Sequence, residues 1–165
     1  MGNLLLRVYG PTPTVQVRER TPCRSPPRGL SSRPMPPKIR VVAAMIEKEG
    51  KYLITQRRPT ATLPLLWEFP GGRVEEGETD EAALARELKE EMEIDVDVGD
   101  RVIHVHHSYP HYDIDFRVYR CRLTAGEVNH KKVHDHRWVS PQEMDKYEFP
   151  AADEKTVAQL LDLTH

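Results

Sequence analysis

The chain is poor in the features that mark several functional classes. It has only two cysteines in 165 residues, Cys23 and Cys121, far apart and in no Cys-x-x-Cys pair. Neither a disulfide scaffold nor an all-cysteine zinc site fits that pattern, and a reducing, cytoplasmic compartment is expected. No apolar run approaches the roughly 18 residues that a membrane span needs, so no membrane partner is expected. The apolar stretch in MGNLLLRVYG is too short for a signal peptide, and Leu6 stands where a myristoylated Gly2 would want Ser or Thr. Neither sign of charge dominates. The formal net charge is -2, which gives no electrostatic reason for a stable nucleic-acid partner.

What remains, 38% hydrophobic and 30% charged, is the composition of one globular domain. Its prolines are uneven: eight of 14 fall in residues 1–37, with six arginines and one acid, Glu19. Such a segment cannot bury enough apolar surface to offset its ordering entropy. Residues 1–37 are therefore expected to be a disordered tail, with Met35 as the expected start of the functional product. An organelle transit peptide would explain the arginines but not the prolines. Residues 38–165 form the expected domain.

Within it, Ile39 to Ile46 and Tyr52 to Gln56 read as strands around a Glu49-Gly50 turn. Trp67 to Phe69 is short and extended, and Pro70-Gly71-Gly72 is expected to break the chain. Thr79 to Met92 has helical periodicity, with Ala82, Ala83, Leu84, Leu88 and Met92 apolar and Asp80 and Glu81 at its positive end. Further strands are expected at Val96 to Val98, Val102 to His107, Ile114 to Leu123 and His136 to Val139. Helices are expected at Pro141 to Tyr147 and Asp153 to Leu163. Irregular alternation of this kind indicates an α/β (α+β) fold, a mixed sheet flanked by helices.

The informative helix is acidic. Glu87, Glu90 and Glu91 stand at i, i+3 and i+4 and so share one face. Like charges at that spacing repel. A hard divalent cation such as Mg2+, which prefers carboxylate oxygens, would compensate them, and it suits phosphoryl chemistry. Taken alone, three glutamates read more simply as a solvated acidic face, since Glu is a good helix former.

The surrounding residues are more specific. Gly72, then Glu78 after five residues, then Arg86-Glu87-Leu88-x-Glu90-Glu91-x-x-Ile94 after seven more, resembles the Nudix box. LWEFPGG (Leu66 to Gly72) and FPAADE (Phe149 to Glu154) are similar to the MutT-like, CTP pyrophosphohydrolase-like branch. The resemblance covers residues 38–163. It implies the Nudix fold, with a mixed sheet sandwiched between helices, and hydrolysis of a nucleoside diphosphate linked to another group. It implies Mg2+, with Mn2+ as an alternative ion, held by Glu87, Glu90, Glu91 and the Gly71 carbonyl. Glu78 and Gly72 would support the loop, and Arg86 would hold Glu87. Arg73 would meet phosphate, and so would one of the pair Arg57 and Arg58, either of which reads alternatively as a surface charge. Glu87 is the expected general base, with Glu90 second. Asp153 would face the nucleobase, as a carboxylate accepts from an amino edge; a helix N-cap is its other reading. Phe116, Trp67, Phe69 and Tyr109 are candidates for stacking on the base or for core.

Two positions depart from the branch. Glu93 replaces the usual glycine past the helix, so a strained or altered turn is expected. Lys132 occupies the place, six residues before Trp138, where this branch often has a catalytic glutamate, and Asp135 is the nearby substitute. Other motifs are weak. Gly72-x4-Gly77 has P-loop spacing, but Glu78 stands where lysine is needed. Asp113-Ile114-Asp115 and the histidines at 104, 106, 107, 111, 134 and 136 read most simply as strand and loop residues.

The expectation that follows is a MutT-like nucleoside triphosphate pyrophosphohydrolase, a monomer or homodimer, acting in nucleotide-pool sanitation. A hydrolase of ADP-ribose or dinucleoside polyphosphates is the alternative enzyme, hinted at by Pro110 and Tyr112. A non-catalytic nucleotide-binding domain is the alternative class.

Overall fold

A computed structural model describes residues 36–163. The expected tail lies outside them except for its last two residues, as do the two residues at the end of the expected domain. The elements run β1 (Lys38–Lys48), β2 (Lys51–Gln56), β3 (Trp67–Glu68), β4 (Gly71–Arg73), α1 (Asp80–Met92), β5 (Asp95–Ser108), β6 (Asp113–Ala125), β7 (Asp135–Val139), a 3₁₀ turn (Pro141–Lys146) and α2 (Ala151–Leu163). Glu49 and Gly50 join β1 to β2 with φ of 55° and 72°, the left-handed pair of a tight hairpin turn.

The sheet has seven strands, ordered β3-β2-β1-β6-β5, with β4 also on β1 and β7 also on β2. β1 is the centre. It pairs in parallel with β6 from Lys38↔Asp113 to Ile46↔Cys121, while β4 and β2 pair antiparallel with it. The sheet is thus mixed, as expected. Strand alternation sends Val42, Ala44 and Ile46 to one face and Ala43 and Met45 to the other. The first set packs with Ala83, Leu84, Leu88 and Met92 of α1. The second packs with Ala152 and Leu160 of α2 and Phe149. A strand buried on both faces explains the unbroken apolar run Val41 to Ile46. Each large side chain fully buried there is worth roughly 1.5–3 kcal/mol.

Three expected elements differ. Pro70-Gly71-Gly72 does not break the chain, because Gly71–Arg73 forms β4; the pairing is with a distant strand and has no local signal. The two strands expected between Val96 and His107 are one strand with irregular register between Val98 and Ile103. The turn at 141–146 is 3₁₀ rather than α.

α1 begins where expected, Thr79 capping it by accepting from Ala82 N–H at 3.2 Å, a cap worth about 1 kcal/mol. At its end Glu93 adopts φ 62°, ψ 22°, and its N–H donates to Lys89 O. The turn is therefore not altered; a glutamate takes the left-handed conformation, at about 1 kcal/mol. Its carboxylate accepts from Asn129 Nδ2 at 2.8 Å and lies 3.3 Å from Lys131 Nζ. Those contacts tie the helix end to the loop before β7. No helix among the described residues is long and apolar enough to cross a membrane.

Candidate active site

β4 and α1 together make the acidic end of the site. β4 lies on β1 with Val42 opposite Gly72 and Ala43 opposite Gly71. That pairing lays Gly72 against the helix face that carries Glu87. A Cβ built on Gly72 would stand 2.7 Å from both Glu87 carboxylate oxygens. Only glycine leaves that carboxylate its place beside the strand.

Arg86 organises the rest. Its Nε and Nη2 donate to the two oxygens of Glu78 at 2.7 and 2.9 Å, and its Nη1 donates to Glu87 Oε1 at 3.0 Å. Nη2 also donates to the Arg73 carbonyl at 3.2 Å. Glu78 itself accepts from Glu75 N–H, and its hydrogen bonds from Arg86 and that amide hold its carboxyl down at about 2. One guanidinium thus joins the loop, β4 and the helix in a planar, bidentate fork that lysine could not reproduce.

A cleft of about 600 Å³ opens from this cluster, a size that suits a small-molecule ligand. Glu87, Glu91, Gly71, Gly72, Arg73, Arg57, Arg58 and Lys132 line one part of it. Glu90 does not line it; its carboxylate accepts from Lys132 Nζ at 2.7 Å and stands 3.6 Å from Arg86 Nη1. Lys132 therefore meets the glutamate cluster as a counter-charge. Asp135 is elsewhere, on β7, accepting from His136 N–H and from Arg137, and it does not line the cleft.

Glu91 is strongly perturbed. Burial first, then the charges of Glu68 and Glu87, push its carboxyl up to about 8. Carboxylates crowded in this way, with only partial compensation from Lys132 and Arg57, form a set of hard oxygen donors. They are oxygen donors of the kind a hard divalent cation prefers, but in this structure the oxygens of Glu87, Glu90 and Glu91 do not all gather within 4.8 Å of one another, as the two histidine-containing groups at His104, His106, Asp115 and His130, Asp135, His136 do.

The other part of the cleft is apolar and aromatic. β1 and β6 pair Ile39 with Ile114 and Val41 with Phe116, and these four form a wall. Tyr109 and Tyr112 face it, their ring centroids 5.0 Å apart. Asp153 closes this part. It is 6% exposed and accepts from Phe69 N–H at 3.3 Å. Burial, then the charge of Glu68, raises its carboxyl well above the usual range. Asp153 is the third residue of α2, so it is not that helix's N-cap, and the cap reading is overturned.

Among the stacking candidates, Phe116 and Tyr109 reach the cleft. Trp67 and Phe69 do not: Trp67 packs edge-on against Tyr147 and Phe69 stacks on Phe149 in the core. Arg57 is partly committed, with Nη1 on Glu68 Oε2 at 2.5 Å and Nε on the Thr62 carbonyl at 2.7 Å. Arg58 donates to the Lys131 carbonyl. Sequence reasoning missed Glu68, which sits between Arg57, Glu91 and Asp153. Its signal was alternation along Trp67-Glu68-Phe69, where Phe69, just past β3, points into the core and Glu68 must point away from it. It also missed Ile39, Val41 and Ile114, whose shared face depends on the parallel register.

The comparisons agree with this geometry. A family model described as NUDIX domain matches residues 41–159. A CTP pyrophosphohydrolase from Escherichia coli is 36% identical over 118 residues, which span 70% of this chain and 85% of that protein. An 8-oxo-dGTP diphosphatase from Haemophilus influenzae is 35% identical over 128 residues, 77% of this chain and 94% of that one. The solution structure of a MutT protein from Staphylococcus aureus matches with a TM-score of 0.64 at 38% identity, covering 78% of this chain and 98% of that one. With the family match extending over most of the chain, residues 41–159 of 165, the chain belongs to the Nudix hydrolase family.

Proposed function

We propose that this Nudix hydrolase cleaves nucleoside triphosphates between the α- and β-phosphates, in a MutT-like role that clears unwanted nucleotides from the pool. The observation that carries the reading is the continuity of one cleft. Its acidic and basic part, Glu87, Glu91, Arg73, Arg57 and Arg58, suits a metal-bound triphosphate, and its aromatic part, ending on buried Asp153, suits a base. The relatives named for CTP and 8-oxo-dGTP support a nucleoside triphosphate as substrate.

Glu87, Glu90, Glu91 and the Gly71 carbonyl would hold Mg2+, or Mn2+ in its place. When bound, the ion supplies charge neutralisation for the phosphates and a lowered pKa for coordinated water. Glu87 would accept the proton of the attacking water; its position on the cleft and its hydrogen bond from Arg86 support that role. Glu90 is the weaker candidate, since the hydrogen bond and charge of Lys132 lower its pKa and make it less basic. Water's oxygen bonds to one of the two phosphorus atoms flanking the α–β bridging oxygen, the bond from that phosphorus to the bridging oxygen breaks, and nucleoside monophosphate and pyrophosphate leave. Arg73, Arg57 and Arg58 would hold the phosphate oxygens. Asp153, its carboxyl raised by burial, can both donate to and accept from a base edge, and Phe116 and Tyr109 would flank the ring.

Tyr112 in the cleft favours a second reading, a dinucleoside polyphosphate as substrate. A panel of nucleoside triphosphates, 8-oxo-dGTP, diadenosine polyphosphates and ADP-ribose, assayed with Mg2+, separates the two. Pyrophosphate with nucleoside monophosphate from the triphosphates supports the first reading. Turnover confined to the dinucleotides or ADP-ribose would replace it.

A further inference from the structure

The segment around the start of β7 carries a second group of donor atoms. His130 Nε2 and His136 Nδ1 lie 2.7 Å apart, and His130 Nε2 lies 3.9 Å from Asp135 Oδ1. One ligand atom from each residue falls within 4.8 Å of the other two. None of the three lines the cleft beside Glu87. His130 is exposed and the others half-buried, so an ion can reach them from solvent.

We propose that His130 Nε2, His136 Nδ1 and Asp135 Oδ1 form a binding site for a transition-metal dication of the Zn2+ type, separate from the carboxylate set on α1. Two imidazoles and one carboxylate, with a water in the fourth position, are a donor set that Zn2+ accepts and Mg2+ does not favour. A tetrahedral ion with bonds of about 2.0 Å holds its donors roughly 3.3 Å apart. The two distances to His130 bracket that value, one shorter and one longer by about the same amount. Small side-chain rotations would therefore bring the donors onto a common ion. Burial, and then the neighbouring His130, lower the pKa of His136, which keeps it in the neutral form that ligates.

The competitor is Arg137, whose Nη1 stands 2.6 Å from the same Asp135 oxygen. It can yield, because it is half exposed and already lies over the Trp67 ring, 5.8 Å from its centroid. A second histidine group, at His104, His106 and Asp115, is less suitable. There Asp115 holds Arg117 at 3.0 Å and Lys38 at 3.7 Å, and two cations beside the carboxylate repel a third.

The site has a reach beyond itself. Asn129 and Lys132 N–H groups donate to the Met92 and Glu91 carbonyls at 3.0 Å, and Lys132 holds Glu90. An ion joining His130 in the loop to Asp135 and His136 on β7 would fasten the segment that bears Lys132.

The test titrates Zn2+ calorimetrically into the full chain, free of any affinity tag, in saturating Mg2+ that occupies hard-oxygen sites. The expected result is one Zn2+ taken up at this group, with a rise in Tm. H130Q and H136Q should each weaken that uptake at least about tenfold and abolish the rise, since loss of even a ligand's outer partner costs about 10–100-fold. His130 is exposed, so H130Q should keep the parent Tm without Zn2+. No Zn2+ uptake in Mg2+ overturns the proposal. So does uptake that H130Q and H136Q leave unchanged, or that H104Q abolishes instead.

Discussion

Gly72→Ala isolates the contact on which the acidic site is built. The added methyl would sit 2.7 Å from both Glu87 oxygens, against an ordinary contact of 3.4 Å or more. The strand cannot give way easily, because Gly72 pairs with Val42, which is fully buried between the sheet and α1. The Glu87 carboxyl carbon is nearer still, at 2.4 Å, and as the free end of a flexible side chain the carboxylate moves, by roughly 1 Å. Its φ is not in the left-handed region, so alanine adds no backbone strain, and the stability change should stay within about 1 kcal/mol. Activity is the sensitive quantity. A misplacement near 1 Å in a catalytic group can cost about a hundredfold, so kcat should fall by about 10–100-fold, or 1.4–2.7 kcal/mol of barrier. Steady-state turnover and thermal melting on the same preparation measure both. Wild-type turnover in Gly72→Ala would refute the placement of Glu87, and a matching collapse of Tm would show that the damage lies in the fold.

Three further perturbations follow from the same geometry. Glu91 has a native pKa of about 8 against about 4.5 unfolded, so without divalent ion the native state binds the extra proton between those values. Stability is therefore full below about pH 4.5 and falls as pH rises towards 8; Glu91→Gln should remove that slope in metal-free melting curves and also abolish most turnover, and parallel curves for the two proteins would contradict the burial argument. Asp153→Ala should weaken kcat/KM for the preferred nucleotide by about 1–3 kcal/mol and act less on poor substrates. Asp153→Asn should reorder them, and an unaltered ranking in both variants would remove Asp153 from base recognition. A chain starting at Met35 should melt and turn over like the full chain, because the Pro- and Arg-rich segment before it has no apolar periodicity to dock; a large loss of Tm on truncation would contradict this.

What the sequence made legible was local. α1 could be read from a capping threonine, an acidic first turn and apolar positions that recur at helical spacing. The glutamate face followed from i, i+3, i+4 geometry alone. What could not be read depended on register between distant strands. β4 looked like a chain break because its partner, Val41 to Ala43, lies some 30 residues earlier. The apolar wall of Ile39, Val41, Ile114 and Phe116 exists only because β1 and β6 run parallel in that register. Trp67 and Phe69 looked as suitable for stacking as Phe116 did, until their partners in the core were known. Lys132 stood out as a departure, but nothing local placed its ammonium on Glu90. Likewise Glu93 carried a glycine's conformation, and its ties to Asn129 and Lys131 appear only in three dimensions.

The central claim is that the Glu87 cluster hydrolyses a nucleoside triphosphate between its α- and β-phosphates with a divalent ion. The most direct test is product analysis of CTP and 8-oxo-dGTP turnover, with and without Mg2+, for the parent and Glu87→Gln. The account predicts equal amounts of nucleoside monophosphate and pyrophosphate, only with Mg2+, and loss of most of that turnover in a Glu87→Gln protein that still melts like the parent. Release of inorganic phosphate and nucleoside diphosphate, or full activity in Glu87→Gln, would contradict it.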